Sequence, residues 1–183
     1  RGILDGISRF CDASPLPVIV KETGFGIHPQ EVTALLDRGV SYVNLAGAGG
    51  TNWVTVEAYR LDGSMHEAAA DFDAWGTPTA ALLAAVGRRG GRIIASGGMR
   101  TGMDVAKATA LGAELSGLAL PFIRAVVTEG VDGVVAVAER VRKTLETAML
   151  MTSSRTLADL RRVRLMRTPA FDARVRALED SAK

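Results

Sequence analysis

The sequence predicts an α/β fold of parallel βα units, specifically the (β/α)8 barrel, on three observations. Short apolar runs without alternation recur four times, each leading into a glycine-bearing loop and then a helical pattern, as buried parallel strands joined by crossover helices do. The chemically capable residues follow the C-terminal end of each run, where parallel sheets build their sites. The last two loops, 96–102 and 119–121, sit where a barrel holds phosphate. A doubly wound nucleotide-binding sheet is the competing architecture. It would carry G-x-G-x-x-G after its first strand, whereas Gly24-Phe25-Gly26 runs into Ile27-His28-Pro29 without the third glycine.

The chain opens at Arg1 in a helical pattern, with Ile3, Ile7 and Phe10 on one face, and Pro15-Leu16-Pro17 ends that helix. Residues 17–22 (PVIVKE) are β-branched and unalternating, which predicts a first strand covered on both faces. Gly24 and Gly26 make the turn. His28-Pro29 starts a helix with an apolar stripe of Val32, Leu35 and Leu36, which Gly39 ends. Residues 41–46 are the second strand and run into the glycine-rich loop 47–52.

A polar connection follows over residues 53–75, long enough to suggest a functional or mobile loop. Thr77-Pro78 is expected to cap a helix bearing Leu82, Leu83 and Val86. Ile93-Ile94-Ala95 is the third strand, its helix covers 104–111, and residues 114–120 form the fourth strand. Pro121 begins a short helix, and residues 131–151 a long one.

Composition narrows the function. Of 183 residues 48% are hydrophobic and 23% charged, enough apolar material for one sizeable core. The net charge of +2 is too small to argue for nucleic acid, and the arginine-rich run 155–167 carries no interleaved aromatics. No apolar run reaches the roughly 20 residues of a spanning helix. The single cysteine, Cys11, rules out an internal disulfide and a thiolate metal cage, and suggests a reducing, cytoplasmic setting. No His/Asp/Glu cluster has metal-ligand spacing.

The stretch 93–102 (IIASGGMRTG) carries the clearest chemistry. A strand stopping at paired glycines before a helix exposes backbone N–H groups to an anion, and Arg100 adds a charge. The residues alone leave open whether Arg100 binds phosphate or lies on the surface. They also leave open whether Lys21 pairs with Glu22 or Asn44 across the barrel or faces a ligand, and whether Trp53 packs or binds. His28 reads as a helix cap and His66 as part of the connection.

Taken together, the stretches PVIVKETGFG (17–26), GAGGTNW (47–53), WGTPTA (75–80) and SGGMRTGMDVAKA (96–108) resemble the type II isopentenyl-diphosphate isomerases, in order and at that family's spacing. The resemblance implies an FMN-dependent barrel that interconverts isopentenyl and dimethylallyl diphosphate in isoprenoid biosynthesis, with NAD(P)H as reductant and Mg2+ bridging the substrate diphosphate. It places Lys21, Ala46, Thr51, Gly98, Met99, Arg100, Ala119 and Leu120 on FMN, with Ala46 where some members carry a serine hydroxyl. Thr23 would lie near the diphosphate and Trp53 near the isoprenyl chain. It names no catalytic side chain in this stretch, sets the magnesium ligands upstream, and implies a homo-oligomer of four or eight.

The chain then covers about the last four βα units in residues 1–160, followed by a helical tail, 161–183. Four strands cannot close a barrel, so the expectation is a longer polypeptide or a partner chain that supplies the rest. Two other readings stand beside it. One is another FMN-dependent oxidoreductase barrel, although loop 47–53 lacks the histidine and arginine that 2-hydroxy-acid oxidases use. The other is a non-catalytic half-barrel that binds FMN or phosphate.

Overall fold

The computed structural model describes residues 2–87 and 92–182. Arg1 and Lys183, the outer ends of the two expected segments, lie outside the described residues. In chain order the elements are α1 (Ile3–Ala13), β1 (Ile19–Lys21), α2 (Pro29–Asp37), β2 (Tyr42–Asn44), α3 (Trp53–Ala58), α4 (Ser64–Ala70), α5 (Thr79–Val86), β3 (Ile93–Ala95), α6 (Gly102–Ala110), β4 (Leu115–Ser116), α7 (Leu120–Met151), α8 (Leu157–Leu160) and α9 (Pro169–Asp180). The four strands form one parallel sheet in the order β1-β2-β3-β4. Consecutive neighbours joined by crossovers make the arc of a (β/α)8 barrel, of which this chain supplies four units.

Helices cover one face of that arc. Val43, Leu45, Ile93 and Ala95 point into a core closed by Val32, Leu35 and Leu36 of α2 and by Leu82, Leu83 and Val86 of α5. The alternate positions Lys21, Asn44 and Ser96 turn to the other face. β1 is therefore not covered on both faces as expected, and Ile19 is 55% exposed. In β4, Leu115 is equally open. Further from the strand ends the inner-face positions Ile19, Ile94 and Leu115 are apolar too, so the sequence shows no alternation even where only one face meets helices. Among the described residues β1 and β4 have no further strand beside them.

The strands are shorter than expected. The fourth shrinks to Leu115–Ser116 because Leu120 already begins α7. Gly130 breaks α7 (φ 64°, ψ −146°), giving the short and long helices that Pro121 and residues 131–151 indicate. Residues 53–75 are not an open loop. They fold as α3 and α4, tied together by His66 Nδ1 against the Ala58 carbonyl (2.8 Å). Asn52 Nδ2 donates to the Phe72 carbonyl (2.6 Å), and Thr55 Oγ1 to Asp73 (2.8 Å). Helices this short are set by such tertiary partners rather than by propensity. At the other end, α9 packs on α5 with Val175 buried, and His28 Nε2 lies 2.8 Å from Ser181 Oγ.

Candidate functional site

The loops at the C-terminal ends of the strands are tied into one platform. Thr77 N–H donates to the Phe25 carbonyl, Ala48 N–H to that of Thr77, and Gly47 N–H to that of Ser96. Thr77 thus bridges loops rather than capping α5, whose N-cap is Pro78. Thr79 Oγ1 reaches the carbonyls of Ser96 (2.9 Å) and Gly97 (2.7 Å). The loops approach so closely that a Cβ on Gly97, whose φ is +94°, would lie 1.9 Å from the Gly47 carbonyl oxygen. Only glycine fits there.

The turn after β1 is built around Glu22. Its Oε2 accepts the N–H groups of Gly24, Phe25 and Gly26 at 2.5–2.9 Å. Partial burial pushes this carboxyl up, but the backbone donors Gly26, Gly24, Phe25 and Thr23 together outweigh it and hold Glu22 below its ordinary value near 4.5. A depressed folded pKa contributes stability that is present above the unfolded pKa and is lost as pH falls through the folded one. Glu22→Gln is expected to cost about 1 kcal/mol at neutral pH and to flatten the acid limb of stability below about pH 4.5. Urea melts at pH 7 and pH 4 check this, and an unchanged difference between the two would defeat it.

With Glu22 engaged by the backbone, Lys21 forms no ion pair among the described residues. Its Nζ donates to the Glu22 carbonyl at 2.8 Å and its side chain is exposed. Lys21, Thr23, Ala46, Thr51, Trp53, Gly98, Met99, Arg100, Ala119 and Leu120, every residue the sequence singles out, line one cavity of about 460 Å3, a volume typical of small-molecule sites. Ala46 is held at φ 41° and its N–H bonds Asn44 Oδ1. Trp53 stands at the rim, 50% exposed, at the start of α3.

One end of the cavity is an anion cradle, differently built from the expected helix start. Asp104 closes α6 from within: its Oδ2 accepts the Arg100 and Thr101 N–H groups at 3.0 and 2.9 Å, and Thr101 Oγ1 caps Asp104 N–H. The start of α7 is open, with Ala119 at its N-cap and no capping side chain. Among the described residues the N–H groups of Gly98, Met99, Ala119 and Leu120 have no hydrogen-bond partner. Among the described residues the Arg100 guanidinium meets only the carbonyls of Met99 (3.3 Å) and Gly49 (3.4 Å). A cation without a carboxylate, beside free backbone donors and a helix N-terminus, suits a phosphate. FMN carries such a phosphate, so the residues present fit that cofactor.

Asn44, Ser96, Gly117 and Leu118 also line the cavity, and the sequence reading did not single them out as contacts. The only signal for Asn44 and Ser96 is their place at or just past strand ends.

Comparisons with known proteins show the family. The isopentenyl-diphosphate delta-isomerase of Borrelia garinii subsp. bavariensis is 42% identical over 163 residues, covering 88% of this chain and 46% of the relative. That of Methanothermobacter thermautotrophicus is 43% identical over 166 residues, covering 88% and 46%. The chain thus spans about half the length of these curated relatives. Among solved structures, lactate oxidase of Pediococcus acidilactici superposes with a TM-score of 0.70 at 27% identity, covering 90% of this chain and 40% of that one. Mandelate oxidase with benzoyl-formic acid gives 0.64 at 25%, covering 88% and 42%. The model of the FMN-dependent dehydrogenases matches residues 3–167, and the chain belongs to that family.

Proposed function

We propose that this chain holds FMN for the interconversion of isopentenyl and dimethylallyl diphosphate. The observation that carries the flavin is the convergence of ten sequence-marked residues, with unpaired N–H donors, on one cavity. The relatives named isopentenyl-diphosphate delta-isomerase support the reaction. Gly98, Met99, Arg100, Ala119 and Leu120 hold the phosphate, while Thr51 and the Ala46 backbone flank the ring. Lys21 stabilises negative charge on the ring edge by exchanging its bond to the Glu22 carbonyl for one to the ring. Thr23 offers a hydroxyl to the substrate diphosphate, and Trp53 offers its indole to the isoprenyl chain. Reduced FMN, when bound, supplies the group that adds and removes the proton. NAD(P)H as its reductant and Mg2+ on the diphosphate belong to the same reading, as do a cytoplasmic setting and a homo-oligomeric assembly.

The cavity lining favours isomerisation over 2-hydroxy-acid oxidation. Among the described residues it contains no histidine, cysteine or carboxylate, so the histidine base that 2-hydroxy-acid oxidases use is not among them. His28 instead caps α2 and bonds Ser181, His66 bonds Ala58, and Cys11 lies on α1.

A flavin absorbance scan and a turnover assay with isopentenyl diphosphate, Mg2+ and reduced FMN test the proposal. Bound flavin with conversion is expected. Flavin without turnover would leave a binding module, and neither would end the reading. Arg100→Ala is expected to weaken FMN binding about 10- to 100-fold through loss of a charge-assisted contact. Unchanged retention on dialysis would remove Arg100 from the phosphate site.

A further inference from the structure

Asn44 is oriented by two hydrogen bonds to its carboxamide oxygen. Its Oδ1 accepts the Ala46 N–H at 3.3 Å and lies 2.6 Å from Ser96 Oγ. A backbone N–H can only donate, so the carboxamide oxygen must face Ala46. Ser96 Oγ, meeting that same oxygen, is then the donor. Both acceptor directions of Oδ1 are filled, and the Nδ2 group, with two N–H donors, has no partner among the described residues. Asn44 lines the cavity, and no buried side-chain nitrogen or oxygen among the described residues lacks a partner, so Nδ2 is open to the cavity with both N–H donors available to a ligand.

Its neighbour in the ladder is Lys21. The two are Cα partners across β1 and β2, so their side chains leave adjacent strands on the same face, about 5 Å apart at the backbone. Resting on the FMN reading above, we propose that Asn44 is a further cofactor-contacting residue, a neutral donor to an acceptor atom of the ring beside Lys21, and that Ser96 is its positioning residue. The lysine contributes charge on a mobile stem. Asn44 contributes a donor of fixed direction, which favours the reduced ring over the oxidised one because more negative charge resides on its acceptors.

The test measures dissociation constants for oxidised and reduced FMN, with thermal melting as a check on folding, in wild-type protein, Asn44→Asp, Ser96→Ala and Ser96→Thr. Asn44→Asp keeps the shape and the bonds from Ala46 and Ser96, but replaces the donor by a negative oxygen. The preference for reduced over oxidised FMN is expected to fall about tenfold or more. Ser96→Ala should lower it about two- to threefold, and Ser96→Thr should restore it. Should Asn44→Asp fail to fold, the Ser96 pair decides. FMN-bound variants with an unchanged preference overturn the role of Asn44, whereas a wild-type protein that takes up no FMN overturns the reading of the site itself.

Discussion

Gly97→Ala is expected to lose about 3 kcal/mol or more of stability and to release FMN, the largest structural effect of any single substitution at this site. Two penalties combine. A left-handed φ costs an alanine about 1–2 kcal/mol, and Gly97 sits at +94°. The added methyl would also lie 1.9 Å from the Gly47 carbonyl oxygen and 2.7 Å from its nitrogen, backbone atoms held by the Gly47 N–H bond to Ser96. A rotamer change gives no relief, because both partners are main chain. The loop 47–50 must move, and with it the cavity wall beside Gly98 and Arg100. Urea denaturation and flavin retention on dialysis measure this. Stability within about 1 kcal/mol of wild type, with flavin retained, would show that the two loops are not locked together.

Lys21→Ala carries the largest expected effect on chemistry, about 100- to 1000-fold in turnover, with FMN affinity reduced much less. A charge beside developing negative charge is worth this much once a bound ring covers the exposed Lys21 side chain from water. Lys21 is free for the task because Glu22, the nearest carboxylate in sequence, is engaged by three backbone N–H groups instead. Its single bond, to the Glu22 carbonyl, is readily exchanged. The phosphate is held elsewhere, by the Gly98 loop and the start of α7, so most cofactor affinity survives. Steady-state turnover compared with FMN dissociation constants checks this split. Equal losses in both would mean that Lys21 only anchors the cofactor.

Much of the fold was legible because its signals are local. β-branched runs, Pro29 at the first helical position, Gly39 and the break at Gly130 each act on their own stretch of backbone, and the observed elements begin and end within a few residues of them. The strand-end pattern marked only the rim, because strand ends in a parallel sheet all point one way; the resemblance named the individual residues, which lie between positions 21 and 120 and line one cavity. Residues 53–75 were misread because α3 and α4 are too short to be set by their own propensity and depend on Asn52, Thr55 and His66 reaching partners 8–20 residues away.

By itself, then, the sequence determined the repeated βα unit, the rim at which it places its chemistry, and Lys21 and Arg100 as cations on that rim. Tertiary structure alone decided which donors remain free. Thr79 Oγ1 is engaged by the carbonyls of Ser96 and Gly97, 17 and 18 positions away, and the Arg100 guanidinium reaches the carbonyl of Gly49, 51 positions away, with no carboxylate beside it among the described residues. The bond between Asn44 and Ser96 spans 52 positions. The physical reason is common to all of these: a hydrogen bond saturates its partners, and which partners are saturated depends on distances that only the folded chain sets.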